Sequence, residues 1–217
     1  MMLGNRIALF LYYGMRGLVA LAFALFLVFA NWADAFYTAL IFLLMIAPSV
    51  LKNRYKFYLP FGIEVAIVGF VFLTLFLGGI RDYYNLIPVW DEILHFQSGL
   101  LLGVVGFVLV YVLNEEKRTK LDLSPGFIAF FAVTFSLAIA NLWEIGEYLA
   151  DTFLGWQSQG VGITDTMTDL IVNAVGASIV GVIGYIWMKN SHKLPFTPRV
   201  LHTFQYGPKH AIQNEEL

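Results

Sequence analysis

The chain contains no cysteine. Disulfides, thiolate metal sites and cysteine nucleophiles are excluded together. Charge is also scarce. Asp, Glu, Lys and Arg make up 13% of the 217 residues, roughly half the ~25% of an ordinary soluble domain. So little charge cannot cover the surface of a water-soluble globule, which excludes a soluble enzyme and a nucleic-acid-binding protein. The formal net charge of −2 gives no sign of a polyanionic partner. Strictly alternating apolar and polar positions are missing too. The run Leu100–Val112 is apolar throughout, which argues against a membrane β-barrel.

What is present is apolar length. Hydrophobic residues make up 59% of the chain, and the mean hydropathy is +0.73. A helix needs about 20 mainly apolar residues to cross a bilayer. Six segments satisfy this: Ile7–Ala30, Ala35–Leu51, Phe61–Ile80, Asp91–Leu113, Pro125–Tyr148 and Asp165–Trp187. The expected fold class is all-α, a polytopic bundle of six transmembrane helices. Residues 1–187 form the membrane domain and residues 188–217 a polar cytoplasmic tail. Short connections predict that sequential helices pack as antiparallel neighbours. Residues 1–35 also resemble a signal peptide, with weakly basic, apolar and small-residue regions in that order; the expectation is retention as the first span.

Basic residues orient this arrangement. Arg6, Lys52, Arg54, Lys56, Lys117, Arg118, Lys120, Lys189, Lys193, Arg199 and Lys209 fall on one side of the six spans, 11 of the 13 Lys and Arg residues. Arg81 lies on the other side and Arg16 within the first span. The positive-inside rule then puts both termini in the cytoplasm of a bacterial-type inner membrane. The lipid bilayer is the one partner that composition implies. A partner membrane protein or a second copy is compatible with it, as is a lipid-type or small-molecule substrate.

Acidic residues gather at the outer ends of the last three spans. Asp91 and His95 are one turn apart on span four. Glu144 and Glu147 share a face of span five, with Asn141 one turn deeper. Asp165, Asp169 and Asn173 form an i, i+4, i+8 stripe on span six. Asp91, Glu144, Glu147, Asp165 and Asp169 would place five negative charges in one chamber, with Arg81 as the lone basic residue on that side. Ionisable groups within a span are costly and normally pair or face water. Either protons or a cation must relieve this cluster. Carboxylates with one imidazole suit a divalent ion such as Zn, Mn or Fe. His95, Glu144 and Asp169 are the expected ligands, with Asp91, Glu147 and Asp165 as further ligands, as a base or as the shell around them. Ser98, Asn141 and Asn173 are the expected supporting polar groups.

Simpler roles exist for several of these residues. Asp91 and Asp165 start helices, where an Asp caps and complements the dipole. Glu144, Asp169 and the two carboxamides could form an interhelical network without chemistry. Glu92 and Asp151 read as solvated rim residues. The segment 155–164 reads as a connector over the chamber. Glu64 and Arg16, on the cytoplasmic half, read as a structural ion pair. Gly99, Gly103, Gly106, Gly176 and Gly181 permit close helix approach.

The pattern Asp91-x3-His95 with Ser98-Gly99, then Trp143-Glu144-x2-Glu147, then Asp165-Thr166-x2-Asp169-Leu170 with Asn173-x2-Gly176, resembles the bacterial YjdF-like inner-membrane family over residues 60–187. The resemblance implies a polytopic inner-membrane fold and singles out the same residues. It supplies no substrate. No zinc-protease His-Glu-x-x-His, multi-histidine set or Ser/His pairing of a membrane enzyme is present. Three functions stay open: an outward-facing divalent-metal site, structural or hydrolytic on a lipid-type substrate; a proton- or cation-coupled carrier; and a non-catalytic subunit or scaffold.

Overall fold

The computed structural model describes residues 3–55, 61–115, 121–155, 158–160 and 162–190. Among them all regular structure is helical. In chain order the elements are α1 (Leu3–Val28), α2 (Trp32–Tyr55), α3 (Phe61–Val71) continued by a π-helix (Phe72–Ile80), the short α4 (Tyr83–Leu86), α5 (Trp90–Glu115), α6 (Pro125–Leu154) and α7 (Ile163–Lys189). Six helical segments are long and apolar enough to cross a membrane, and they coincide with the six expected spans. The protein is an integral membrane protein. Residues 191–217, which hold the expected tail, lie outside the described residues.

Local chemistry sets the helix ends. Ser124 caps α6 by accepting from the Phe127 N–H, and Pro125 occupies the first helical position, where its missing N–H costs nothing. Gly155 ends α6 in the left-handed region. It carries α6 six residues past the expected end at Tyr148. Asp34 does not cap α2. The preceding Asn31 does, its Oδ1 accepting from the Asp34 N–H (3.4 Å) and its Nδ2 donating to the Asp34 carboxylate (2.7 Å). Asp165 is likewise inside α7; Gly162 is the capping position, without a side-chain bond.

The chain forms two compact units, divided between Pro88 and Val89. In the first, Tyr12, Val19, Ile41, Met45, Val68, Phe72 and Phe76 form the apolar core. A polar tie joins its helices. Glu64, buried on α3, accepts from the hydroxyls of Tyr12 and Ser49, and its other oxygen lies 3.6 Å from Lys52 Nζ. Arg16 donates to Ser49 Oγ (3.1 Å) and to the Met45 carbonyl, and lies over the Tyr12 ring. The expected Arg16–Glu64 contact is therefore mediated by Ser49 and Tyr12, and Lys52 is the ion-pair partner. The carbonyl that Arg16 reaches is next to the one that Pro48, inside α2, leaves without a helical donor.

The second unit is built in layers with a period of four residues. On α6 the buried positions are Ile128, Ala132, Ser136, Ala140 and Glu144. On α7, Asp169, Asn173 and Ala177 follow the same step. On α5, His95, Gly99, Gly103 and Phe107 do so too. Facing positions match: Gly99 meets Asn173, and Gly103 meets Ala177 and Val180. Both helices advance together, so α5 and α7 run parallel, with α6 antiparallel to both. This non-sequential pair is in backbone contact. A Cβ on Gly99 would strike the Asn173 carbonyl, and one on Gly176 the Phe96 carbonyl. Small residues at this spacing are what allow helix backbones to approach in a membrane.

Gly99→Ala and Gly176→Ala are each expected to destabilise the protein by about 3 kcal/mol, the upper range of overpacking costs. Gly146→Ala, where an added Cβ meets nothing within 4 Å, should leave the midpoint unchanged. Thermal melts in detergent check the contrast.

Candidate metal centre

The parallel seam of α5 and α7 brings the polar stripes together. One ligand atom from each of Asp91, His95 and Asp169 lies within 4.8 Å of the others. His95 Nε2 is 3.5 Å from Asp91 Oδ1 and 3.7 Å from Glu144 Oε1. The three residues expected as ligands thus converge from three helices, and all are buried: His95 is 7% exposed, Glu144 4% and Asp169 2%. Asp91 is the open edge, with its side chain 27% exposed.

These separations are too long for good hydrogen bonds. His95 Nδ1 and Glu144 Oε1 are buried with no hydrogen-bond partner. Groups left in that condition are rare and call for an explanation. The other acids surround the trio. Asp165 interacts electrostatically with Asp91, Glu144 and Asp169. Glu147 interacts with Glu144, Asp91 and Asp165, and accepts a hydrogen bond from Trp143 Nε1 (2.9 Å). Glu92, expected at the rim, is half-buried with one oxygen unpaired, and belongs to the same field. Among the described residues of this unit Lys189 is the sole Lys or Arg. It stands 20 residues beyond Asp169 on α7, about 30 Å along the axis. The described residues of this unit therefore place no Lys or Arg side chain against the acids.

The rim is held by two of the acids. Asp151 accepts from the Ser158 and Gln159 N–H groups (2.8 and 2.9 Å), and Asp165 from the Gly160 N–H (2.9 Å). Asp151 is thus a loop anchor, and Asp165 serves both the loop and the cluster. Trp156, Gln157 and Val161 lie outside the described residues.

One layer deeper sits a second polar group. Asn173, fully buried, donates from Nδ2 to Ser98 Oγ (2.9 Å) and to the His95 carbonyl (3.4 Å). The Ser98 hydroxyl donates to the same carbonyl (2.8 Å). Ser136 donates to Asn173 Oδ1 (3.1 Å) and lies 3.5 Å from the Gly99 carbonyl. Sequence reasoning named Ser98 and Asn173 and missed Ser136, although a serine two four-residue steps from Glu144 was the available signal. Asn141 is not brought to this group. It is exposed, and its Nδ2 donates to the Leu137 carbonyl of its own helix (3.1 Å).

Comparison with known proteins adds a family. Residues 11–190 match the family described as "Predicted membrane protein (DUF2238)". The chain belongs to this family. The match begins at residue 11, so kinship in this membrane-protein family takes in the first two spans, beyond the 60–187 that the motif resemblance covers. A Thermotoga maritima relative named "Uncharacterized protein" is 29% identical over 155 residues, spanning 70% of this chain and 76% of the relative. No solved structure matches.

The two asparagines give opposed expectations. Asn173→Leu removes the donor to Ser98 Oγ and the nearer acceptor of the Ser136 hydroxyl, and should cost about 1–3 kcal/mol. Asn141→Leu should be neutral. Denaturation midpoints of the two variants in one detergent check the difference.

Proposed function

We propose that this membrane protein binds one divalent metal ion (Zn, Mn or Fe) at the outer ends of its last three spans, with Asp91, His95 and Asp169 as ligands and Glu144 beside them. The observation carrying this reading is the convergence of donor atoms from Asp91, His95 and Asp169, the last two buried, beside a Glu144 oxygen that no hydrogen bond satisfies. The charge balance supports it. An ion held by carboxylates and an imidazole is a standard solution for hard-to-borderline divalent metals, and it relieves the repulsion among the six carboxylates around His95. Two of the three ligands are buried, which suits a structural ion joining α5 to α7, with Glu144 of α6 beside it. Among the three ligands Asp91 has the exposed edge, a side from which a substrate could approach. Among the described residues of this unit the acidic rim has no Lys or Arg beside it, which favours an uncharged lipid-type substrate over an anionic one in any hydrolytic role.

The carrier reading is weaker. A relay needs polar steps across the membrane. Below the Asn173 layer the buried side chains described in this unit are apolar, Ala132, Ala177, Phe107, Ile128, Val110 and Val112, apart from Tyr111 near the far end of α5. In the proposed topology both termini are cytoplasmic, in an inner membrane, and the cluster faces outward. The narrower YjdF-like membership belongs to this proposal, resting on the LWEIGEYLAD and GITDTMTDLIVNAVGA runs.

Chelator should lower the wild-type melting midpoint, because an ion at 100 times its Kd stabilises by about 2.7 kcal/mol. Asp169→Asn should melt below untreated wild type and ignore chelator. A cluster that only shares protons gives the opposite sign: Asp169→Asn relieves repulsion and melts higher, and chelator changes nothing. For the topology, a C-terminal reporter active only outside the cytoplasm should remain silent.

A further inference from the structure

We infer that Asn173 is the positioning residue of this centre: by joining α7 to Ser98 and the His95 carbonyl of α5, it sets the distance between His95 and Asp169. The inference rests on the metal reading above. Its own support is geometric. Asn173 lies one turn below Asp169 on α7, and Ser98 lies one turn below His95 on α5. The 2.9 Å bond between them therefore sits directly beneath the two ligands. The second bond ends on the backbone of the ligand residue itself, the His95 carbonyl. From the third helix, Ser136 holds the Asn173 carboxamide in the orientation that aims its N–H groups at α5. That orientation leaves Oδ1 for Ser136 and Nδ2 for α5, so each donor and acceptor has a role.

The backbone contact beneath does not supply this setting alone. Gly99 and Gly176 let α5 and α7 touch, and Asn173 adds to that contact hydrogen bonds to Ser98 and to the backbone of His95. A one-residue slip turns a helical side chain by about 100°. Such a slip would take Asp169 away from His95. A carboxamide with fixed partners on both neighbouring helices opposes it. Groups that orient ligands typically change metal affinity by 10–100-fold when removed.

Titration of the full-length protein in detergent with Co2+, read by its visible d–d absorption, tests this. Asn173→Ala should weaken Co2+ binding by about 10–100-fold and alter the shape of the absorption band. Ser98→Ala, which removes one partner and no ligand, should shift both in the same direction by less. Ser178→Ala, exposed on α7, should match wild type. A purely structural role for Asn173 would lower the melting midpoint and leave the band unchanged. If Asn173→Ala does not fold, the Ser98→Ala spectrum decides. Wild-type affinity and band shape in the folded variants would overturn the positioning role alone. Failure of wild type to bind Co2+ would overturn the metal reading and this inference with it.

Discussion

The contact on which the second unit depends is the one between the backbones of α5 and α7 at Gly99 and Gly176. In lipid there is no hydrophobic force between helices, and association rests on close packing and hydrogen bonds. Two helices that touch at backbone distance bring their polar stripes into register. The acids and the imidazole are costly in a membrane one by one. Brought together, they become a site. The packing that makes the unit possible and the cluster that gives it chemistry are thus consequences of the same four-residue period.

The two units solve a shared problem differently. In the first, the buried Glu64 is offset by a cation and two hydroxyls, so its charge is answered within the protein by Lys52, Tyr12 and Ser49. In the second, Asp169 and Glu144 are equally buried, and the described residues of that unit provide no such cation. This contrast separates a polar tie that is complete in itself from one that needs something added.

The spans were legible because a bilayer imposes a length, and twenty apolar residues have few other uses. Their ends were less so: Gly155, not the last aromatic residue, decides where α6 stops. The convergence of His95, Glu144 and Asp169 was legible from spacing along separate helices. Asn141 shows the limit of that reasoning. At about 100° per residue, Ala140 and Asn141 lie on opposite sides of Glu144, about 40° and 60° away. Spacing alone does not say which side faces the neighbours; the crossing of the helices selects Ala140. Nothing in FLTLFLGGI distinguishes the wide π-helix turns of residues 72–80 from α-helix. Loop length speaks only of sequential neighbours; the glycines of spans four and six were the signal for the approach of α5 to α7.

The parallel seam also has a consequence for how the protein is made. A chain is synthesised from its N-terminus, so the α5–α6 hairpin is made before α7. For that interval His95 and Glu144 have each other, and Ser98 and Ser136 lack the carboxamide that later joins them. The last span delivers Asp169 and Asn173 together, one turn apart, completing the acidic layer and the polar layer in one docking step. Assembly of the cluster thus marks the moment at which the final helix has found its place.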